Sequence, residues 1–238
     1  PIKSSAASDV YKRQAQKLIE ELQCETVFTI PVLGGIPVSE AVVVTWIIMA
    51  VLVIVAFILT RNLKVDHISK RQAVAESIVT GLMNMVQGMV GEKGRKYVPY
   101  LTTVMLYIGV SNIIGLFGFK SPTKDLRVTV ALALMSIILI EAAGIYHKGV
   151  KRWLHGFVEP VAIVTPINIL EVVTKPLSLC MRLFGNVLGA FVIMELLKMI
   201  LPVGLPVVFS LYFDIFDGLL QAYVFVFLTS LYIDEITE

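Results

Sequence analysis

The segment 41–60, AVVVTWIIMAVLVIVAFILT, carries no charged side chain. A helix needs about 20 predominantly apolar residues to cross the hydrocarbon core of a bilayer. Backbone polar groups find no water there, and a helix satisfies them within the segment itself. The sequence therefore predicts a transmembrane helix at 41–60, and with it a protein that folds in a membrane.

The composition of the whole chain agrees with a membrane location. Of its 238 residues, 57% are hydrophobic and 16% are charged, and the mean hydropathy is +0.83. That value is far above the range of a soluble globular domain. The 20 basic and 18 acidic residues are scattered and form no basic stripe, which argues against nucleic acid as a partner.

No motif for chemistry on a bound metabolite occurs in the chain. It contains no nucleotide-binding glycine loop, no zinc-binding helix motif and no nucleophile elbow. Cys24 and Cys180 have neither metal-ligand nor redox spacing, and both are interpreted as packing residues. We therefore expect a non-catalytic protein with no cofactor and no metal site.

Other segments resemble the first one in length and apolar character. Segment 68–89 is more polar, and its apolar residues recur at helical spacing, which is typical of a helix that lies in the membrane interface. The sequence thus predicts an all-α, polytopic membrane protein with five transmembrane helices and one amphipathic interfacial helix, in a single membrane domain, 41–238. The four further spans are predicted at 97–117, 128–145, 166–200 and 207–233.

An alternative with six crossings inserts segment 68–89 into the bilayer. It places Glu76 and Gln87 in lipid and puts the basic loops on opposite sides of the membrane. Both consequences are unfavourable.

Lysine and arginine are concentrated in two of the loops. Seven of these residues lie between the first and second spans, and three lie between the third and fourth. Because basic loops stay on the cytoplasmic side, the amino terminus is predicted outside and the carboxyl terminus in the cytoplasm. Residues 15–40 are expected to form an extracytoplasmic segment. Residues 1–14, which include SAASDVYKRQ, resemble a translated sequencing adapter and are interpreted as adapter-derived or as a disordered terminus.

Polar side chains follow one face of the fourth predicted span. Successive members are three or four residues apart, which keeps them on one side of a helix. Pro176 lies within this stripe and is expected to bend the helix. The stripe consists of Glu171, Lys175, Ser178, Arg182 and Asn186.

Arg182 is the most costly member of the stripe. Estimates for an arginine at the bilayer centre run from about 3 to more than 10 kcal/mol. No other charge lies between Lys175 and Glu195. Gly185 and Gly189 form a GxxxG pair on the adjoining face, which lets another helix approach closely. We therefore expect the Arg182 face to meet protein instead of lipid.

The last span carries a second stripe, at positions 210, 214, 217 and 221. A short turn around LPVGLP joins it to the fourth span, so the two spans are expected to form an antiparallel hairpin with facing stripes. With Gln221 level with Arg182, the other polar groups outline a half-pore open to one side. The groups that rise toward the exterior are Asp217, Asp214 and Glu195, with Ser210 beside them.

These charges have two interpretations. One makes Arg182 a static partner of Asp217 inside a helical bundle. A static pair needs one carboxylate, however, whereas three lie on the outer side of the arginine. The surplus favours a path for protons or another cation.

Several motifs resemble subunit a of the F-type ATP synthase. The strongest is PLSLCMRLFGN, preceded by INILEVVTK and followed after the turn by LLQAYVFVFLTSLYI. PTKDLRVTVALAL and EPVAIVTPINILE occur in the order expected of that family. Because several motifs appear together and in order, the match is more specific than a single GxxxG pair.

The resemblance implies a rotary mechanism in a bacterial plasma membrane. A ring of c subunits, each with a carboxylate, would turn past this chain, and peripheral-stalk b subunits would hold the chain in place. H⁺ or Na⁺ would enter through an outer half-channel and leave through an inner one. ATP chemistry would take place on other subunits.

The resemblance also implies roles for individual residues. Arg182 matches the essential arginine, and Asn186 and Gln221 match polar residues that hold its side chain. Gly115 stands where some relatives have an acid in the second span. Candidates for the outer half-channel are Asp214, Asp217, Glu195, Ser111 and Asn112; candidates for the inner half-channel are Glu171, Lys175, Ser178 and Glu141.

Other classes of protein fit the same charges. A self-contained ion channel or secondary transporter would also need an intramembrane arginine and acids. A structural membrane scaffold would use them as ion pairs. Ion flux from the purified chain alone separates the transporter from a subunit that needs partners.

Overall fold

A computed structural model describes residues 26–30, 36–61, 69–92, 94–117, 119–156, 165–200 and 204–237. The predictions for residues 1–14 and for Cys24 lie outside these ranges. The described helices are α1 (Glu40–Thr60), α2 (Lys70–Val90), α3 (Val98–Ile113), α4 (Leu126–Lys148), α5 (Val150–Gly156), α6 (Thr165–Ile200), α7 (Leu205–Ser210), a π-helix (Leu211–Asp217) and α8 (Gly218–Thr237).

Helices cover each segment that the sequence predicts to be helical, and the all-α, polytopic class is confirmed. Six helical stretches among the described residues are long and apolar enough to cross a membrane. One of them is α2, whose mean hydropathy of 1.2 is the lowest of the six, against 3.2 for α1. Length and composition do not separate a spanning from an interfacial α2, so the count of five crossings stays a prediction.

A short β-hairpin precedes α1 and was not predicted from the sequence. Strand β1 (Thr26–Ile30) pairs antiparallel with β2 (Ile36–Ser39), with Ile30 opposite Ile36. Their β-branched residues favour extended backbone. The hairpin marks one end of the helical bundle, which we call the hairpin end; the end at which α8 finishes is called the C-terminal end.

Helices α3, α4 and α8 form the centre of the bundle. About half of α4 is buried (50%), against 11% of α1. Helix α3 packs along α8, and α4 packs against both α6 and α8. The direct contact between α6 and α8 is smaller than the contact of either with α4. Helix α4 therefore lies partly between α6 and α8, the two helices of the predicted hairpin.

Polar contacts connect the elements at the hairpin end. Ser39 Oγ donates to Asp125 Oδ2 at 2.8 Å, and Asp125 Oδ1 accepts from the Arg127 N–H at 2.9 Å at the start of α4. Lys120 Nζ lies 2.9 Å from Glu40 Oε2. These contacts connect the starts of α1 and α4 through side chains that cap or flank both helices.

Helix α6 is continuous through Pro176. After it, Gly204 adopts a φ of 88°, a left-handed conformation that glycine accepts without a steric cost. Pro206 then stands in the first turn of α7, where the missing N–H costs nothing. This turn returns the chain so that the π-helix lies at the hairpin end.

Candidate functional site

Both acids of the last span lie on the π-helix Leu211–Asp217. In this rare form each N–H bonds to the carbonyl five residues earlier, and such segments are found mostly at functional sites. The Gly218 N–H bonds back to the Phe213 carbonyl and closes the segment. Because the π-helix turns less per residue than an α-helix, the stripe predicted at 210, 214, 217 and 221 does not follow one α-helical face.

Asp214 is half-buried where the π-helix approaches the end of α3. Ser210 Oγ donates to Asp214 Oδ2 at 2.8 Å. A Cβ atom built on Gly115 would lie 3.1 Å from Asp214 Oδ1, so the carboxylate occupies the space beside the missing side chain. The structure thus brings Asp214 to the position at which the resemblance expects an acid from the second span.

Asn112 links α3 to the end of the π-helix. Its Nδ2 donates to the Gly218 carbonyl at 2.9 Å, and its Oδ1 accepts from Thr123 Oγ1 at 2.7 Å. Ser121 Oγ lies 2.7 Å from Thr123 Oγ1 and donates to the Ser111 carbonyl at 2.7 Å. Asn112 is buried, with 5% of its surface exposed, so its amide is held from two sides.

The Ser111 hydroxyl is fully buried next to this network. Among the described residues it is the one buried side-chain oxygen or nitrogen without a hydrogen-bond partner. Such an atom costs about 1–3 kcal/mol. Sequence analysis selected Ser111 and Asn112 but missed Ser121 and Thr123, because both lie outside the predicted spans.

Glu195 is paired with a base that sequence analysis did not select. Its Oε1 lies 2.6 Å from Lys198 Nζ, one turn further along α6. The Glu195 side chain is 16% exposed, whereas that of Lys198 is 54% exposed. Lys198 is also close enough to Asp214 to interact with it electrostatically. The positive charge of Lys198 therefore lies near two acids at the hairpin end, Glu195 and Asp214.

Asp217 and Gln221 are placed differently from each other. Asp217 is half-buried and has no hydrogen bond or ion pair with any described residue. Gln221 is buried, with 5% of its surface exposed. Within the described ranges no hydrogen bond or ion pair joins Arg182 to Asn186, Gln221 or Asp217, so a static Arg182–Asp217 pair does not form there.

Arg182 lies on a face of α6 that the rest of the described chain leaves uncovered. Leu179 and Leu183, on the adjoining face of the helix, are each 1% exposed and belong to the bundle core. Arg182 and Asn186 are exposed. Cβ atoms built on two glycines of this region would meet nothing within 4 Å; these are Gly185 and Gly189. The protein expected to meet the Arg182 face is therefore not a described part of this chain.

Charges near the start of α6 are paired with the end of α8. Lys175 Nζ lies 3.2 Å from Glu235 Oε2 and 3.7 Å from Glu171 Oε2. It also lies 5.2 Å from the centre of the Tyr232 ring. Sequence analysis selected Glu171 and Lys175 but missed Glu235, which lies beyond the last predicted span. Ser178, one turn further on, is exposed.

Glu141 of α4 is held by a tryptophan of the next helix. Trp153 Nε1 donates to Glu141 Oε2 at 2.9 Å. This bond fixes the carboxylate at the C-terminal end of the bundle. No group of three His, Cys, Asp or Glu side chains close enough to hold a metal ion occurs among the described residues.

The fold and the site together define a class: a multi-pass membrane protein with acids inside its spans and an arginine that no described residue pairs, an arrangement that marks ion pathways. The chain belongs to the ATP synthase A chain family, whose model matches residues 42–234. The resemblance predicted from the RLFGN run and its flanking motifs is thereby confirmed.

Curated relatives agree with this assignment. The chain is 36% identical over 203 residues to the ATP synthase subunit a of Moorella thermoacetica, an alignment that covers 84% of this chain and 92% of the relative. It is 34% identical over 208 residues to ATP synthase subunit a 1 of Chlorobaculum parvum, covering 86% and 91%. A relative from Propionigenium modestum, described as ATP synthase subunit a, sodium ion specific, is 35% identical over 215 residues, covering 84% and 74%.

Family membership places the chain in the membrane sector of ATP synthase, as a subunit with a role in ion translocation. It is a multi-pass membrane protein that works in a complex with other ATP synthase subunits. Catalysis takes place on those other subunits, so the prediction of a non-catalytic protein is confirmed.

Proposed function

We propose that the chain forms two aqueous half-channels that pass H⁺ or Na⁺ to and from a rotating ring of c subunits. One half-channel loads a carboxylate on the ring, the other unloads it, and the rotation drives ATP synthesis on other subunits. Peripheral-stalk b subunits hold the chain against the ring. The observation that carries the proposal is the exposed Arg182, which forms no ion pair with any described residue.

An arginine inside a membrane helix needs a counter-charge or water to offset its cost. No described residue of this chain supplies the counter-charge. A carboxylate on a second protein would do so each time it passed. The open space beside Gly185 and Gly189 lets a helix of that protein come close to the arginine.

The guanidinium would then have two effects. It favours the ionised form of a nearby carboxylate, and so favours release of the bound ion beside it. It also repels a cation that would pass directly between the half-channels, because like charges repel strongly where water is scarce. Asn186 and Gln221 are proposed to orient its side chain once the ring is in place.

The outer half-channel is proposed to open at the hairpin end. Asp214, Asp217 and Glu195 would share the transfer of the ion, with Ser111 and Asn112 in the wall. The half-buried positions of Asp214 and Asp217 suit groups that must gain and lose an ion. The unpaired Ser111 hydroxyl suits contact with water that enters from this end.

The inner half-channel is proposed to open at the C-terminal end. Its candidate wall residues are Glu171, Lys175, Ser178 and Glu141, with the Glu171–Lys175 pair at the mouth. The described basic residues Lys96 and Lys148 lie at this end of the bundle, where Lys96 Nζ donates to Tyr146 Oη of α4, which supports a cytoplasmic location for it and an external location for the hairpin end. The membrane is proposed to be a bacterial plasma membrane.

Replacement of Arg182 by alanine tests the function. In inverted vesicles that contain the whole complex, we expect Arg182→Ala to reduce ATP-driven ion pumping to background while the subunits still assemble. The matched control is Arg152→Ala, at an exposed arginine of α5, which should pump normally. Normal coupled pumping by Arg182→Ala, with the complex intact, would overturn the proposal.

A second measurement separates this proposal from a self-contained channel or transporter. The purified chain alone in liposomes should conduct no ions, since its path is completed by the ring. Ion flux that depends on Arg182 in the absence of other subunits would instead identify an independent transporter.

A further inference from the structure

The π-helix Leu211–Asp217 ends where Gly218 packs against Asn112 of α3. A π-helix is less favourable than an α-helix and is kept where its surroundings determine it. The segment ends at Gly218, and the Gly218 carbonyl accepts from Asn112 Nδ2 at 2.9 Å. A Cβ atom on Gly218 would lie 2.7 Å from Asn112 Cβ, so this close approach requires glycine.

Asn112 is itself held in one orientation. Thr123 Oγ1 donates to its Oδ1. Ser121, whose Oγ lies 2.7 Å from Thr123 Oγ1, donates to the Ser111 carbonyl. Rotation of the amide would break the bond to Gly218 and the bond to Thr123 together. The connection therefore runs from the loop after α3, through one buried amide, to the end of the π-helix.

We propose that Asn112 is a positioning residue that fixes the π-helix at Gly218 and so determines where Asp214 and Asp217 lie in the ion path. Its role in transport rests on the proposed function of those two acids. The backbone register is a separate property, which is measured without transport.

Spin labels on the π-helix report its register directly. The whole complex is prepared with Cys24→Ala and Cys180→Ala in this chain. Either Phe213→Cys, at a half-buried position, or Phe216→Cys, at a position that is 57% exposed, then supplies the single site for the label. The collision rate of the attached nitroxide with oxygen measures exposure to lipid. If Asn112→Ala lets the segment return to an α-helix, its side chains rotate and the ratio of the two rates should change by about twofold or more.

The transport measurement uses the same variants without labels. We expect Asn112→Ala to reduce ATP-driven pumping about tenfold, as for the loss of a buried hydrogen bond, and to shift its dependence on pH at the hairpin-end side. In a background that carries Asp214→Asn, the same change should remove most of the remaining pumping, because it also displaces Asp217, the acid that replaces Asp214 in part. The control is Asn84→Ala, at an exposed amide of α2, which should alter neither measurement.

Thr123→Val keeps the proposal testable if Asn112→Ala does not assemble. It preserves side-chain shape and removes the hydroxyl that holds Asn112 Oδ1, so it should change both measurements in the same direction and by less. Unchanged collision ratios in the assembled variants would overturn the positioning role. A changed ratio with normal pumping would support positioning and overturn the proposed role of the two acids in the ion path.

Discussion

Each end of the bundle has a lysine–glutamate pair, Lys175 with Glu235 at the C-terminal end and Lys198 with Glu195 at the hairpin end, but Asp214 and Asp217 form no ion pair with a described residue. At the C-terminal end, Lys175 lies between Glu235 and Glu171, at 3.2 and 3.7 Å. At the hairpin end, the nearest hydrogen-bond donor to Asp214 is the neutral hydroxyl of Ser210, and Asp217 has no partner among the described residues.

We interpret the ion-paired side chains as structural and the acids without an ion pair as the ones that can exchange an ion. The pair of Glu235 with Lys175 holds two helices together and contributes to the stability of that end of the bundle. A half-buried carboxylate with a neutral donor can gain and lose a cation with less rearrangement. The contrast is testable because each end offers substitutions that remove charge and preserve shape.

The largest effect is expected from Asp214 and Asp217. Asp214→Asn or Asp217→Asn alone should slow ATP-driven pumping by about threefold to tenfold, whereas the double variant should lose nearly all of it, since each acid can replace the other in part. Initial rates of pumping in inverted vesicles, normalised to the amount of assembled complex, give the comparison.

Equal and complete loss from each single change would show that the acids act in series and would refute redundancy. The control is the pair Asp234→Asn and Glu235→Gln at the C-terminal end, which should leave the rate within about twofold if charges there serve mainly to fasten the helices.

A smaller effect is expected where α3 leaves room for Asp214. In Gly115→Ala the new methyl group would lie 3.1 Å from Asp214 Oδ1, and the carboxylate must move by a few tenths of an ångström. We expect about a threefold loss of pumping, since a shift of this size disturbs positioning without removing the acid. Gly109→Ala is the matched control, because its methyl group would meet Leu219 at an ordinary 3.5 Å. Equal effects of the two changes would show that the space at Gly115 has no special role.

The helices were predictable because lipid leaves a spanning backbone few alternatives. Segment 41–60 was predicted as a helix, and α1 runs Glu40–Thr60. The motif around Arg182 also identified the family before any contact was known. In both cases the information lies within one stretch of sequence.

The π-helix was not predictable in the same way. It ends next to Gly218, whose carbonyl accepts a hydrogen bond from Asn112, 106 residues away in the sequence, and nothing in the run LYFDIFD itself departs from an α-helical pattern. The partners Lys198 and Glu235 were missed for a related reason: each lies near a helix end, where a charge is expected to face water. Their importance comes from what packs beside them in the fold.

The smallest effect is expected at the paired charges. Lys175→Met removes the partner of Glu235 but keeps the length of the side chain, and the glutamate is 53% exposed. Such a pair contributes about 0–1 kcal/mol, so pumping should change by less than about twofold and the melting temperature of the complex by a few degrees at most. Lys151→Met, at an exposed lysine, is the control for loss of one positive charge.

Since added salt screens the pair of Lys175 and Glu235, any difference in melting temperature should shrink as the salt concentration rises. A loss of pumping comparable to that of the Asp214 variants would show that Lys175 is essential for ion passage and is more than a wall residue of the inner half-channel, and the distinction drawn between Lys175 and the two aspartates would then fail.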